Sequence, residues 1–158
     1  MLQRIQTVYL TIVAIACILL FFFPLANYYH ELNGNYKFFL YGVRSMDPEP
    51  KVVFSLYFTL PLIFMAVASF IFTVSTILLY KNRPLQLRLC AFNMLTNIVL
   101  VMVIFFFYAT RIKTMTMIDP VYNYTGMMLP LVSILFLIFA NQAIRRDEAL
   151  VKSSDRLR

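Results

Sequence analysis

Apolar residues in this chain come in long unbroken runs rather than in alternation with polar ones. Stretches 5–29, 52–80, 89–110 and 120–144 carry no Asp, Glu, Lys or Arg. An α-helix needs about 20 residues to cross a hydrocarbon layer of roughly 30 Å, and each stretch is longer than that. Helices of a soluble core would show polar faces, and these runs lack them for most of their length. The pattern predicts an all-α integral membrane protein: a four-transmembrane-helix antiparallel bundle in one membrane domain, with spans near 6–28, 55–80, 89–110 and 126–144. An outer loop over 30–53 and a cytoplasmic tail over 145–158 complete it.

The first run differs from a secretory signal. A signal's apolar region is usually about 7–15 residues and ends at small residues. This one is longer and ends at Phe22, Phe23, Pro24 and Leu25. A lipoprotein signal at Cys17 is equally disfavoured, because Ile18 to Phe23 continue the apolar run.

Within 30–53, the Leu32–Asn33–Gly34–Asn35 sequence is a strong turn former, and YKFFLYG favours a strand that Gly42 can end. A short hairpin or β-ribbon over the helix tops is one reading. An interfacial segment with Phe38, Phe39 and Tyr41 dipped into lipid is the other. Ser45–Met46–Asp47–Pro48–Glu49–Pro50 reads as rigid irregular chain. Tyr28, Tyr29, Tyr122 and Tyr124 stand where an aromatic belt would sit. Pro24, Pro61 and Pro130 fall near outer helix ends; Pro24 is expected to bend or finish its last turn, and Pro61 to kink its helix locally. The second outer connection, near 111–126, reads as weakly structured, with a bend at Asp119–Pro120.

Charge then sets orientation. Hydrophobic residues make up 61% of the chain and charged ones 13%, against about 25% charged in soluble domains. The net charge of +7 is a topology signal rather than a nucleic-acid one. If all four runs cross, Arg4, Lys81, Arg83, Arg88, Arg145, Arg146, Lys152, Arg156 and Arg158 share one side. Lys37, Arg44, Lys51, Arg111 and Lys113 share the other. The denser basic side is expected to be cytoplasmic, with both termini. The outer loop balances its bases with Glu31, Asp47 and Glu49, whereas KNRPLQLR carries +3 in eight residues.

Polar residues inside the runs are few. Ala66, Ser69, Thr73 and Thr76 make a small-residue stripe that permits close helix contact. Asn93, Thr96 and Asn97 are a possible intramembrane polar contact. Asn93 and Asn97 lie one turn apart on one helix face, so the structural reading is helix registry, and the functional one is a seat for a lipid headgroup or other ligand. Asn82–Pro84 predicts a tight inner turn. The tail is expected to continue as a helix, with Glu148 and Lys152 four residues apart and an apolar strip of Ile144, Val151 and Leu157. That strip would lie on the membrane surface or receive a partner.

Catalytic constellations are absent. Cys17 and Cys90 form no C-x-x-C pair and read as apolar filler. His30, the single histidine, offers no metal set. Gly34, Gly42 and Gly126 are the only glycines and build no nucleotide loop. No acid or base lies in the core of a run, which weakens an ion-coupled transporter reading. These features predict a non-enzyme with no metal or cofactor.

MLQRIQTVYL, KNRPLQLRLC followed by Asn93, and RRDEALVKSSDRLR resemble a family of small four-span proteins of Bacteroidota, domain of unknown function 4293. The resemblance covers essentially the whole chain. It implies a bacterial inner-membrane protein and brings no activity or catalytic residue with it. All three segments are cytoplasmic by the charge argument. They assemble a candidate partner surface of Arg4, Arg83, Arg88, Arg145, Arg146, Asp147, Glu148, Lys152, Asp155 and Arg156, beside Gln3 and Gln6. The expected partners are membrane lipids and another inner-membrane protein or a second copy of the chain, and the expected role is an accessory or scaffold subunit. A small transporter or lipid-binding protein is the alternative.

Overall fold

The computed structural model describes residues 2–30, 34–47, 52–80 and 82–156, with side chains at 2–4, 56 and 151–156 left undescribed. The expected contributions of Arg4, Lys152, Asp155 and Arg156 to a partner surface therefore lie outside the described residues. The side chains of Gln3 and Val151, and residues Glu31, Leu32, Asn33, Pro48, Glu49, Pro50, Lys51, Lys81, Leu157 and Arg158, named in other expectations, also lie outside the described residues.

The chain is predominantly helical with a small antiparallel sheet. In order it runs α1 (Leu2–Leu19), β1 (Ala26–Tyr28), β2 (Tyr36–Phe39), β3 (Gly42–Ser45), a 3₁₀ turn (Leu56–Thr59) and α2 (Leu60–Leu78). Then follow α3 (Arg83–Met102), a π-helical segment (Val103–Tyr108), α4 (Ala109–Thr116), β4 (Val121–Tyr122) and α5 (Tyr124–Arg156). Three helical stretches are long and apolar enough to cross a membrane: Tyr57–Leu78, Arg83–Thr116 and Tyr124–Leu150. The described apolar part of the first helix, Ile5–Leu19, is shorter.

Local chemistry sets several boundaries. Asn82 caps α3 by accepting from the Leu85 amide at 3.4 Å, and Pro84 sits in the first turn, where a missing N–H costs nothing. Pro61 likewise lies in the first turn of α2. It starts a helix there instead of bending one, because the chain turns into α2 through the 3₁₀ segment. Pro130 lies inside α5. Met117 ends α4 in the left-handed region, φ 57°.

The four long helical units lie side by side in a ring, α1 against α2 and α5, and α3 against α2 and α5. Their buried positions step by four and three residues. In α1 these are Gln6, Leu10, Val13, Cys17 and Leu20, just past the helix end, with Ala16 buried beside Cys17; in α2 they are Leu62, Ala66, Ser69, Thr73 and Thr76. In α3 they are Gln86, Cys90, Asn93, Asn97 and Leu100, and in α5 Pro130, Ser133, Leu137, Ala140, Ile144 and Asp147. This 3.5-residue period is the seam of helices that interdigitate at small crossing angles. Beyond Leu100 the buried positions step by four, through Ile104, Tyr108, Ile112 and Thr116. The wider turns of the π segment keep that series facing inward.

The first expected span, 6–28, is corrected. Its helix stops at Leu19, closing with turns up to the Phe23 amide, which donates to Leu19 at 3.2 Å. Pro24 cannot extend the ladder. Ala26–Tyr28 become a strand at the centre of a sheet ordered β3-β2-β1-β4. The register pairs Ala26 with Phe38 and Tyr122, and Lys37 with both Asn27 and Arg44. Gly42 opens β3 rather than ending β2. Ala26, Tyr28, Tyr36 and Phe38 point to the helices and are buried. Tyr28 is thus a core residue, not a belt residue, while Tyr29 is 54% exposed. Phe38 is buried too, against Tyr108 at 5.9 Å between ring centres, so the reading that dipped it into lipid does not hold. Gly126 seats α5 beneath the sheet: a Cβ there would overlap the Pro24 carbonyl oxygen and lie 2.8 Å from its carbon.

Candidate functional site

The deepest polar residues come together where α1, α2 and α3 meet. The α2 stripe and the α3 seam face each other because both repeat at 3.5 residues, so Ser69 and Thr73 meet Asn93 and Asn97. Ser69 Oγ donates to Asn93 Oδ1 at 2.7 Å. Asn93 Nδ2 donates to Thr73 Oγ1 at 2.7 Å. Asn97 Nδ2 donates to Ser69 Oγ at 2.7 Å, to the Asn93 carbonyl at 2.9 Å and to Asn93 Oδ1 at 3.1 Å. Thr73 Oγ1 donates to the Ser69 carbonyl at 2.8 Å. All four side chains are at most 3% exposed.

The protons can be followed. The single hydroxyl proton of Ser69 goes to Asn93, so Cys17 Sγ, 3.5 Å from Ser69 Oγ, is the donor in that contact. Each hydroxyl and each amide nitrogen of the four has a partner within the set or on its own backbone. Buried polar groups in an apolar medium carry a large penalty when unpaired, and this arrangement removes it without any charged residue.

Thr96 is not part of the set. Its hydroxyl bonds the Phe92 carbonyl of its own helix at 2.9 Å, because it lies a third of a turn off the Asn93–Asn97 face. Thr76 similarly bonds back to Phe72 at 2.6 Å, and Gln86 Nε2 donates to the Thr76 carbonyl at 3.0 Å. Cys90 donates to the Leu137 carbonyl at 3.5 Å. Sequence reasoning placed Ser69 in a packing stripe but missed its position as the hub, and it set Gln86 and Gln6 at the inner surface, whereas both are buried. The four-three spacing of 86, 90, 93 and 97 is the signal that would have found the first.

The opposite end of the bundle gathers the basic residues. Arg83 binds Asp147 twice, Nη1 to the backbone carbonyl at 3.0 Å and Nη2 to the carboxylate at 3.4 Å, which ties the inner turn to α5. Gln6 Nε2 donates to the Ala143 carbonyl at 3.4 Å, tying α1 to the same helix. Arg88, Arg145 and Arg146 are exposed and make no ion pair among the described residues. Glu148 is half-buried on α5.

Three buried polar atoms have no hydrogen-bond partner among the described residues: Asn27 Oδ1 and Tyr28 Oη on β1 at the sheet end, and Asn141 Oδ1 on α5 toward the other end. Burial, with Tyr122 nearby, pushes the Tyr28 phenol above its ordinary pKa. Free Cys17 and Cys90 are both buried. No group of three His, Cys, Asp or Glu with metal-holding geometry occurs among the described residues.

Comparison with known proteins places the chain. The model of the family described as Domain of unknown function (DUF4293) matches residues 2–157, and the chain belongs to that family. No curated protein and no solved structure matches it.

Proposed function

We propose that this protein is a non-enzymatic accessory or scaffold subunit of the bacterial inner membrane, four-spanning, with both termini in the cytoplasm, that binds a larger membrane protein complex. The fourth span in this reading is α1 with its closing turns. Eighteen helical residues rise about 27 Å at 1.5 Å each, close to the roughly 30 Å hydrocarbon layer. Asymmetry of basic residues supports the orientation.

One observation carries the functional reading. The buried polar side chains of α2 and α3 bond one another, while Arg88, Arg145 and Arg146 stay exposed at the inner end. The interior polarity is spent on holding helices together, and the uncommitted charge lies where a partner or a lipid surface can reach it. The lipid-binding alternative draws support from an apolar groove described below.

Purification at native expression in mild detergent, with mass spectrometry of what is retained, tests the proposal. A stoichiometric membrane-protein partner is expected, lost on R88Q/R145Q/R146Q. Solute flux in proteoliposomes of the isolated chain would defeat the scaffold reading.

A further inference from the structure

The sheet's outward face carries charge that the fold does not use. Lys37 and Arg44 are directly opposite one another on β2 and β3. Like charges in that position repel, and Lys37 makes no ion pair among the described residues. The Arg44 guanidinium lies over Tyr41 at 5.1 Å and over Phe39 at 5.9 Å. The two rings stack at 5.3 Å. Stacking holds the guanidinium in place and leaves its edge N–H donors for a planar or tetrahedral anion.

Below the sheet, an apolar groove of about 320 Å³ opens between α1 and α2, lined by Cys17, Ile18, Phe21, Phe22, Val67 and Phe70. Phe22 is 72% exposed at its rim. Cys17, Ile18, Phe21 and Phe22 come from the outer end of α1 and its closing turns, and Val67 and Phe70 from the middle of α2. β3 packs on the 3₁₀ turn that leads into α2, and Lys37 pairs with Asn27, five residues past Phe22 on the chain that leaves α1, so the Lys37–Arg44 pair lies near the α1 and α2 ends that flank the groove. On the four-span reading above, which this inference rests on, α1 ends at the outer edge of the hydrocarbon. The groove is then at outer-leaflet acyl depth and the Lys37–Arg44 pair at headgroup depth.

We infer that the α1–α2 groove and the β2–β3 hairpin form one binding site for an anionic phospholipid of the outer leaflet. An acyl chain fills the groove, and the phosphate meets Arg44 and Lys37. The occupant's anion relieves the cross-strand repulsion, and its chain covers an apolar surface that neither helix closes. A soluble acidic peptide would satisfy the bases but not the groove.

Native mass spectrometry of the full chain, titrated with phosphatidylglycerol or phosphatidylcholine of matched chain length, tests this. One phosphatidylglycerol is expected to be retained preferentially, and K37Q/R44Q is expected to weaken it about tenfold or more. Val67→Trp, which fills the groove, should do the same with both bases intact. R88Q/R145Q, at the other end of the chain, should leave this lipid in place. Equal retention by K37Q/R44Q, loss only in R88Q/R145Q, or displacement by millimolar inorganic phosphate alone would overturn the site. Should K37Q/R44Q not fold, a photo-crosslinking phenylalanine analogue at Tyr41 in the otherwise native chain must capture phosphatidylglycerol, and capture of protein alone defeats the inference. Topology is read separately: Lys37→Cys should react with an impermeant maleimide from outside intact cells. Labelling only from the cytoplasm would sink the four-span reading whatever the lipid data show.

Discussion

The two ends of the bundle are held together by different physics. Around the sheet, large apolar side chains converge: Tyr28, Tyr36, Phe38, Leu40, Ile104, Tyr108 and Ile112 are each at most 2% exposed. Phe58 stands edge-on to Tyr108 at 5.0 Å, and the Tyr108 hydroxyl donates to the Phe58 carbonyl at 2.7 Å. Half a bundle away the core is thinner: Leu10, Val13, Cys17, Cys90, Leu137 and Ala140, beside the Ser69–Asn93–Asn97 set. On the four-span reading proposed above, the sheet end lies toward water, and burial from water contributes there. In lipid, tails are as apolar as leucine, so helices there associate through close packing and hydrogen bonds. The polar set therefore sits where the hydrophobic effect is weakest. The orphaned Asn27 and Tyr28 atoms occur where apolar burial is strong enough to tolerate them.

The comparison breaks most readily at the aromatic end. Phe38→Ala should destabilise that region by about 3–5 kcal/mol, through lost burial and a cavity beside Tyr108. Hydrogen exchange in micelles would show it at the β1 and β2 amides while the α2–α3 seam keeps its protection. Equal deprotection at both would mean that the two regions fold as one unit.

A smaller effect is expected at the polar hub. Ser69→Ala removes the shorter of two donors to Asn93 Oδ1 and one of three acceptors of Asn97 Nδ2, at a cost of about 0.5–1.5 kcal/mol. The coupling in a Ser69/Asn97 double-mutant cycle should be near the roughly 0.6 kcal/mol typical of membrane helices. Reversible unfolding in mixed micelles measures both. A hub variant as stable as the parent would show that packing alone holds the seam.

Arg83→Gln should change least, by about 0–1 kcal/mol, since the Arg83 and Asp147 side chains are 22% and 12% exposed and partly screened. Its effect should shrink as salt rises. A salt-independent loss would point instead to the backbone bond at Asp147 as the part that matters.

Much of the helical framework was legible. Long uncharged runs, Asn82 before Pro84, and an apolar-to-charged boundary at Ile144 mark helices that the chain does form. The strand at Tyr36–Phe39 was legible as well, from its aromatic, turn-flanked sequence. The seam was not. Its 3.5-residue period is obscured because the lipid-facing positions between, such as Phe64, Phe92 and Phe106, are as apolar as the buried ones. A soluble helix would have revealed the same face by its polar opposite side.

What the residues determined by themselves is where backbone can leave the helix and which stretches tolerate hydrocarbon, because both follow from local chemistry: proline lacks a donor, and charge resists desolvation. Tertiary structure alone decided that Ala26–Tyr28 become a strand, since their partners, Tyr36–Phe38 and Val121–Tyr122, flank them in the sheet while the latter lies far along the chain. It also decided which of the small polar side chains meet. Thr96 and Asn97 are neighbours of similar polarity, yet only Asn97 joins Ser69 and Asn93, because a step of one residue along an α-helix turns a side chain about 100° away.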